Sequence, residues 1–145
     1  MQNIVIVGDT GVGKTSFVRH LMGHTFTETY MATIGKEMHI YKDVFIHDTS
    51  SQERFSKACK EYYKYAHGAI VLYDAETKQN VSKWVDALQK ENENIPIVVV
   101  YNKIDLHDNK DTWQYPHACI SCKTSENVEQ VMELLEPILL KISLL

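Results

Sequence analysis

The residues whose types and spacing carry the most chemistry are Gly8-Asp9-Thr10-Gly11-Val12-Gly13-Lys14-Thr15. They fit G-x-x-x-x-G-K-[ST], a loop that cradles phosphates. The glycines let the backbone approach an anion closely. Lys14 reaches toward β- and γ-phosphates in such a loop, and the Thr15 hydroxyl can ligate Mg²⁺. The stretch Asp9, Thr10, Gly11, Val12, Gly13, Lys14, Thr15 and Ser16 is therefore expected to line a bound polyphosphate. By itself the loop names neither the base nor the reaction.

The base is indicated by a second group, Asn102-Lys103-Ile104-Asp105. An ionised aspartate is acceptor-only. Asp105 can accept from the ring N–H and the exocyclic amine of guanine together, a donor pair that adenine lacks. Lys103 can lay its stem along the base plane, and Asn102 can tie its loop back to the phosphate loop. A third group, Ser121-Cys122-Lys123, adds a backbone N–H near Cys122 that can donate to the guanine carbonyl.

These groups need elements to hold them. Ile4-Val5-Ile6-Val7 and Ile97-Val98-Val99-Val100-Tyr101 are continuous apolar runs, as in strands buried on both faces, and Ala118-Cys119-Ile120 reads as a last short strand. Each chemical group follows one such strand. In open α/β sheets ligands bind beyond the carboxyl ends of the strands, and a helix after the first strand aims its positive dipole end at the phosphates. Helices are expected over 14–22, 51–65, 77–92 and 125–142, with Pro137 kinking or ending part of the last. Trp84 and Leu88, spaced i, i+4, read as core packing. The alternation implies an α/β domain with a mostly parallel sheet.

The motifs in this order resemble a small GTPase of the Ras superfamily, most closely the Rab family. Asp48-Thr49-Ser50-Ser51-Gln52-Glu53-Arg54-Phe55 resembles D-T-A-G-Q-E-R-F, and Thr33-Ile34-Gly35 resembles the first switch. Tyr62 to Ala69, followed by Val71-Leu72-Tyr73-Asp74, is similar to a Rab segment and the strand after it. The resemblance implies one domain over 1–145 with the P-loop NTPase fold. That is a three-layer α/β/α sandwich on a six-stranded, mostly parallel sheet with one antiparallel edge strand. It also implies roles: Phe26 against the guanine, Tyr30 closing over the phosphates, Thr33 as a second Mg²⁺ ligand, Asp48 holding the metal through water, and Gln52 orienting the attacking water. GTP/GDP and Mg²⁺ are the implied ligands. Effector, exchange-factor and GTPase-activating proteins are implied at 33–36 and 48–65, on a monomer.

The departures matter too. Ser51 stands where the family has a glycine whose N–H meets the γ-phosphate, and any positive-φ conformation there would cost about 1–2 kcal/mol. Altered switching or hydrolysis is the expectation. His47, before Asp48, reads as a surface histidine. Only Lys42-Asp43 separate two strand-like runs, which suggests a two-residue hairpin turn. Between Asp105 and Ala118 the family places a helix; the twelve residues here suggest a loop or a single turn. The scaffold is thus expected to be short between strands 2 and 3 and between strands 5 and 6.

A chain of 145 residues buries roughly 70% of its unfolded surface. Net charge is −4 with no basic stripe, which argues against a nucleic-acid partner. Cys59, Cys119 and Cys122 suggest a reducing compartment, and a cytoplasmic location is expected. Membrane association is expected only through a lipidated tail of the kind Rab proteins carry. Two functional readings stand: a GTP-hydrolysing switch, favoured by Gln52, and a guanine-nucleotide-binding module that cycles poorly and competes for Rab partners, favoured by Ser51 and the trimmed scaffold. A small-molecule kinase is disfavoured by the guanine motifs.

Overall fold

The computed structural model describes residues 2–22, 31–33, 36–41, 44–49, 57–103 and 105–143. The strands are β1 (Gln2–Val7), β2 (Met31–Thr33), β3 (Lys36–Tyr41), β4 (Val44–Asp48), β5 (Gly68–Tyr73), β6 (Ile97–Asn102) and β7 (His117–Ile120); the helices are α1 (Lys14–Met22), α2 (Lys57–Tyr65), α3 (Val81–Glu91) and α4 (Val128–Ser143). They form one sheet in the order β2-β3-β4-β1-β5-β6-β7. Strands β4, β1, β5, β6 and β7 run parallel; β2–β3 and β3–β4 pair antiparallel.

Strands β5 and β6 are buried at every position, as their unbroken apolar runs require. Successive side chains go to opposite faces. Ile4, Ile6, Ile70, Leu72, Val98 and Val100 meet Phe17, Val18 and Leu21 of α1 and Val131, Leu135 and Leu139 of α4. Val5, Val7, Val71, Tyr73, Val99 and Tyr101 meet Cys59 and Tyr63 of α2 and Val81, Val85 and Leu88 of α3. The result is the expected three-layer α/β/α sandwich. Full burial of a side chain such as Phe17 contributes about 1.5–3 kcal/mol.

The strand count corrects the expectation. The sheet has seven strands among the described residues, not six, and two antiparallel pairings rather than one. The added strand is only three residues long, too short to show a hydrophobic period. It pairs with the N–H and C=O groups along the outer edge of β3 and becomes the edge strand itself. Tyr41 pairs with Val44, so only residues 42 and 43 lie between β3 and β4, as the short hairpin requires.

Helix α4 starts three residues later than expected. Ser125 (φ 65°) and Asn127 (φ 61°) are left-handed, and Ser121 forms a bridge with Glu126, so a helix cannot begin before Val128. Pro137 lies inside α4 and does not end it. The expected 77–92 helix is a 3-10 turn, Lys78–Asn80, running into α3. Of the expected 51–65 helix, residues 51–56 lie outside the described residues.

After β6 the chain makes one turn, with the Leu106 and His107 N–H groups donating to the Lys103 carbonyl at 2.9 and 3.2 Å. Loop side chains then cover the sheet where a helix would otherwise pack: Trp113 and Tyr115 lie against the α2–α3 side of the core. Trp113 Nε1 donates to the Tyr73 hydroxyl at 3.1 Å, and that hydroxyl donates to Asp111 at 3.0 Å. Burial first, with the Asp111 charge adding, pushes the Tyr73 phenol well above its ordinary range. The Lys78 ammonium pairs with Asp111 on the far side, and this hydrogen bond chiefly lowers the Asp111 carboxyl.

Candidate guanine-nucleotide site

The loop between β1 and α1 is shaped by its glycines. Gly13 has φ 102°, and a Cβ there would overlap Asn102 Nδ2. The Lys14 side chain is buried, and its ammonium donates to the Gly8 carbonyl and, at 3.2 Å, to the Asp9 carbonyl. Burial lowers the Lys14 pKa, opposed by the Asp48 and Asp9 charges. The Thr15 hydroxyl donates to Asp48 Oδ2 at 2.8 Å. A hydroxyl at the start of α1 and a buried carboxylate at the end of β4 thus converge as hard oxygen donors, the set that Mg²⁺ prefers. Thr49, next to Asp48, anchors the end of β4 by donating its hydroxyl to the Ile6 carbonyl at 2.8 Å.

The second group meets the first as expected. Asn102 Nδ2 donates to the Val12 carbonyl at 2.8 Å. Its Oδ1 accepts from the N–H groups of Lys103 (2.8 Å) and Cys122 (3.0 Å), so one buried side chain ties three loops together. Of the backbone N–H groups near Cys122 expected to donate to the guanine carbonyl, that of Cys122 itself is engaged by Asn102. Asp105 Oδ1 accepts from the Ser121 hydroxyl at 2.7 Å, which fixes the carboxylate's rotation. Lys103 is left-handed (φ 81°), a conformation costing about 1–3 kcal/mol outside glycine. Its ammonium bridges the Gly11 carbonyl (3.0 Å) and Asp74 (2.8 Å). A cleft of about 390 Å³ opens between these groups, lined among others by Gly13, Ser16, Asn102, Lys103, Asp105 and Lys123. Burial, helped by the Asp105 charge, pushes the Cys122 thiol up to about 11, so this cleft residue stays protonated at neutral pH.

Comparison with known proteins agrees with this geometry. Residues 3–105 match the family described as Ras of Complex, Roc, domain of DAPkinase. Over 115 residues the chain is 36% identical to the Ras and EF-hand domain-containing protein homolog of Caenorhabditis elegans. The chain belongs to the Ras superfamily of small GTPases. The match covers 71% of this chain but only 18% of that relative, so the chain spans less than a fifth of the protein it resembles.

As a Ras-like GTPase domain the chain belongs to a family of GTP-binding switches. The phosphate loop, Asn102, Lys103, Asp105, Ser121, Cys122 and Lys123 are gathered on one rim of the sheet, with Thr15 and Asp48 beside them. Thr33 ends β2, opposite Lys36. Phe26, Tyr30, Ser51 and Gln52 lie outside the described residues, as do 34–35 and 50–56 of the expected partner segments. Among the described residues no helix is long and apolar enough to cross a membrane. His47 is half-buried rather than a simple surface residue: it bonds Asn3 Oδ1 at 3.2 Å and stacks on Tyr62 with ring centroids 5.1 Å apart.

Three residues of this GTPase domain escaped the sequence reading. Asp74 is buried at the end of β5 and pairs with Lys103. Asn80 and Trp84 both donate to the Asp9 carboxylate, at 2.5 and 2.8 Å. Trp84 shares the helical spacing of Leu88, but Leu88 alone is fully buried. The available signal was chemical: a half-buried indole N–H needs an acceptor, and Asp9 is a conspicuous one.

Proposed function

We propose that the chain binds GTP and GDP with Mg²⁺ and slowly hydrolyses GTP, as a Rab-like switch in vesicle trafficking. The observation that carries the guanine reading is the cleft itself, where Asn102 locks the base loops onto the phosphate loop and Ser121 presents Asp105. Thr15 and Asp48 fit Mg²⁺, which when bound would neutralise charge on the phosphates; Thr33 is the proposed additional ligand. Lys14 exchanges its carbonyl partners for phosphate oxygens. Gln52 is the residue proposed to orient the attacking water, following the general scheme for phosphoryl transfer in this class. Phe26 and Tyr30 are proposed to cover the base and the phosphates, and 33–36 and 48–65 to meet effectors and regulators. The Rab assignment rests on the resemblance of 33–35, 48–55 and 62–74.

Single-turnover phosphate release from Mg²⁺–GTP-loaded protein, without an activator, tests this. Slow but clear release, with binding competed by GDP and not by ADP, is expected. Equal competition by ADP would overturn the guanine reading. Stable GTP with no release would favour the second reading, a nucleotide-binding module that competes for partners of cycling GTPases; the serine at position 51 is the feature that favours it.

A further inference from the structure

We propose that Asn80 and Trp84 are positioning residues of the nucleotide site: they hold the Asp9 carboxylate on the α3 side of the phosphate loop and thereby set how long a guanine nucleotide stays bound. The inference rests on the guanine-nucleotide reading above.

Asp9 is an anion inside a loop built to receive anions. Left to rotate freely, its carboxylate would compete with phosphate oxygens for the loop's donors and repel them. Both of its oxygens are instead taken. Oδ2 accepts from Asn80 Nδ2 at 2.5 Å, and Oδ1 accepts from Trp84 Nε1 at 2.8 Å. The donors lie one helical turn apart, so they share a face of α3.

Asn80 occupies the N-cap position of α3, where asparagine ordinarily caps the helix through its side chain. Here the side chain makes no capping bond and is committed to Asp9. The Asn80 side chain thus serves, through its amide nitrogen, a loop 71 residues away rather than capping, through its oxygen, the helix it begins.

The backbone of Asp9 completes the link. Its carbonyl accepts from the Lys14 ammonium at 3.2 Å and from the Val12 N–H at 3.4 Å. The side chain of Asp9 is thereby fixed to α3, and its peptide to the loop's turn and to the phosphate-binding lysine. The Lys14 ammonium also lies 5.9 Å from the Trp84 ring centre, within cation–π range. Phosphates that draw Lys14 away from the Gly8 and Asp9 carbonyls must change the surroundings of the Trp84 ring. Trp84 is therefore both a restraint on the loop and a reporter of its occupancy.

The test uses the fluorescent nucleotide methylanthraniloyl-GDP. Its dissociation rate is measured for the wild type, Trp84→Phe, Asn80→Ala, Asp9→Ala and the Asp9→Ala/Trp84→Phe double variant, each with its melting temperature. Trp84→Phe keeps an aromatic ring and removes the N–H. It should speed dissociation about tenfold, the scale of one hydrogen bond to a charged group. In the Asp9→Ala background the same substitution should have no further effect, because the bond it removes is already gone. Asn80→Ala reads the same restraint should Trp84→Phe fail to fold. In a Trp113→Phe protein, where Trp84 is the only indole, emission should shift on adding GDP. Rates within twofold of wild type for both α3 variants, or additive effects of Asp9→Ala and Trp84→Phe, would overturn the inference. Wild-type protein that does not bind the probe would overturn the guanine reading beneath it.

Discussion

Asn102 stands against Gly13 so closely that a methyl group at Gly13 would overlap its amide nitrogen, and that nitrogen donates to the Val12 carbonyl at 2.8 Å. Phosphate loop and base loop are in direct contact, and the contact leaves no room for a side chain. Gly13→Ala must also hold alanine at φ 102°, a strain of about 1–2 kcal/mol before any clash. Calorimetry should show the melting temperature falling by about 3–8 °C, with GDP affinity falling further than stability. An unchanged melting curve would mean that the two loops separate readily.

Asn102→Ala removes the other partner. The Val12 carbonyl would lose its donor and the Cys122 N–H its acceptor, and each buried unsatisfied group costs about 1–3 kcal/mol. Chemical denaturation should show a loss of about 2–4 kcal/mol, because water can reach part of the cleft.

Asp74 carries the acid dependence at this rim. Burial by itself would raise its carboxyl, but the hydrogen bonds from Lys103 and Thr77 outweigh it and hold the group below its ordinary value of 3.8. A depressed folded value stabilises the protein above the unfolded value, and this contribution is lost as pH falls through the folded value. Asp74→Asn should therefore be less stable than the wild type by about 0.5–1 kcal/mol at neutral pH, given the part-exposed lysine. The two melting temperatures should converge below pH 3.8. A gap that persists in acid would assign the effect to the hydrogen bonds with Thr77 and Glu76 rather than to the charge.

Pro137 is exposed within α4 and has no N–H for the preceding turn. Pro137→Ala restores that donor. After the entropy returned to the unfolded chain is deducted, a gain of about 1–2 kcal/mol is expected. A rise in melting temperature without change in GDP affinity is the outcome, since α4 packs on the sheet away from the cleft.

Ser51→Gly probes the switch directly. Restoring the conformational freedom of glycine should raise single-turnover GTP hydrolysis or the response to an activating partner. Equal rates for both proteins would show that serine there leaves the cycle intact.

The local elements and the chemical groups were legible in the sequence because each rests on short-range rules. Continuous β-branched runs mark buried strands, glycines at fixed offsets mark a phosphate loop, and an aspartate after a strand marks a base loop. The parallel sheet followed from alternation, and the absence of a helix between Asp105 and Ala118 followed from length. The three-residue strand Met31–Thr33 did not, because its pairing depends on the open edge of β3 and not on its own composition. Nor did the late start of α4, which the left-handed Ser125 and Asn127 impose. The partners of Asp9 were hidden for a related reason. Trp84 carries a helical core signature, and only the packing of α3 beside the phosphate loop turns its indole N–H toward a carboxylate 75 residues earlier. The sequence by itself determined which groups are candidates to bind phosphate and guanine, since those depend on residue type and local backbone. Tertiary structure alone decided what holds these groups in place, because those hydrogen bonds join residues that only the folded sheet brings within 3 Å.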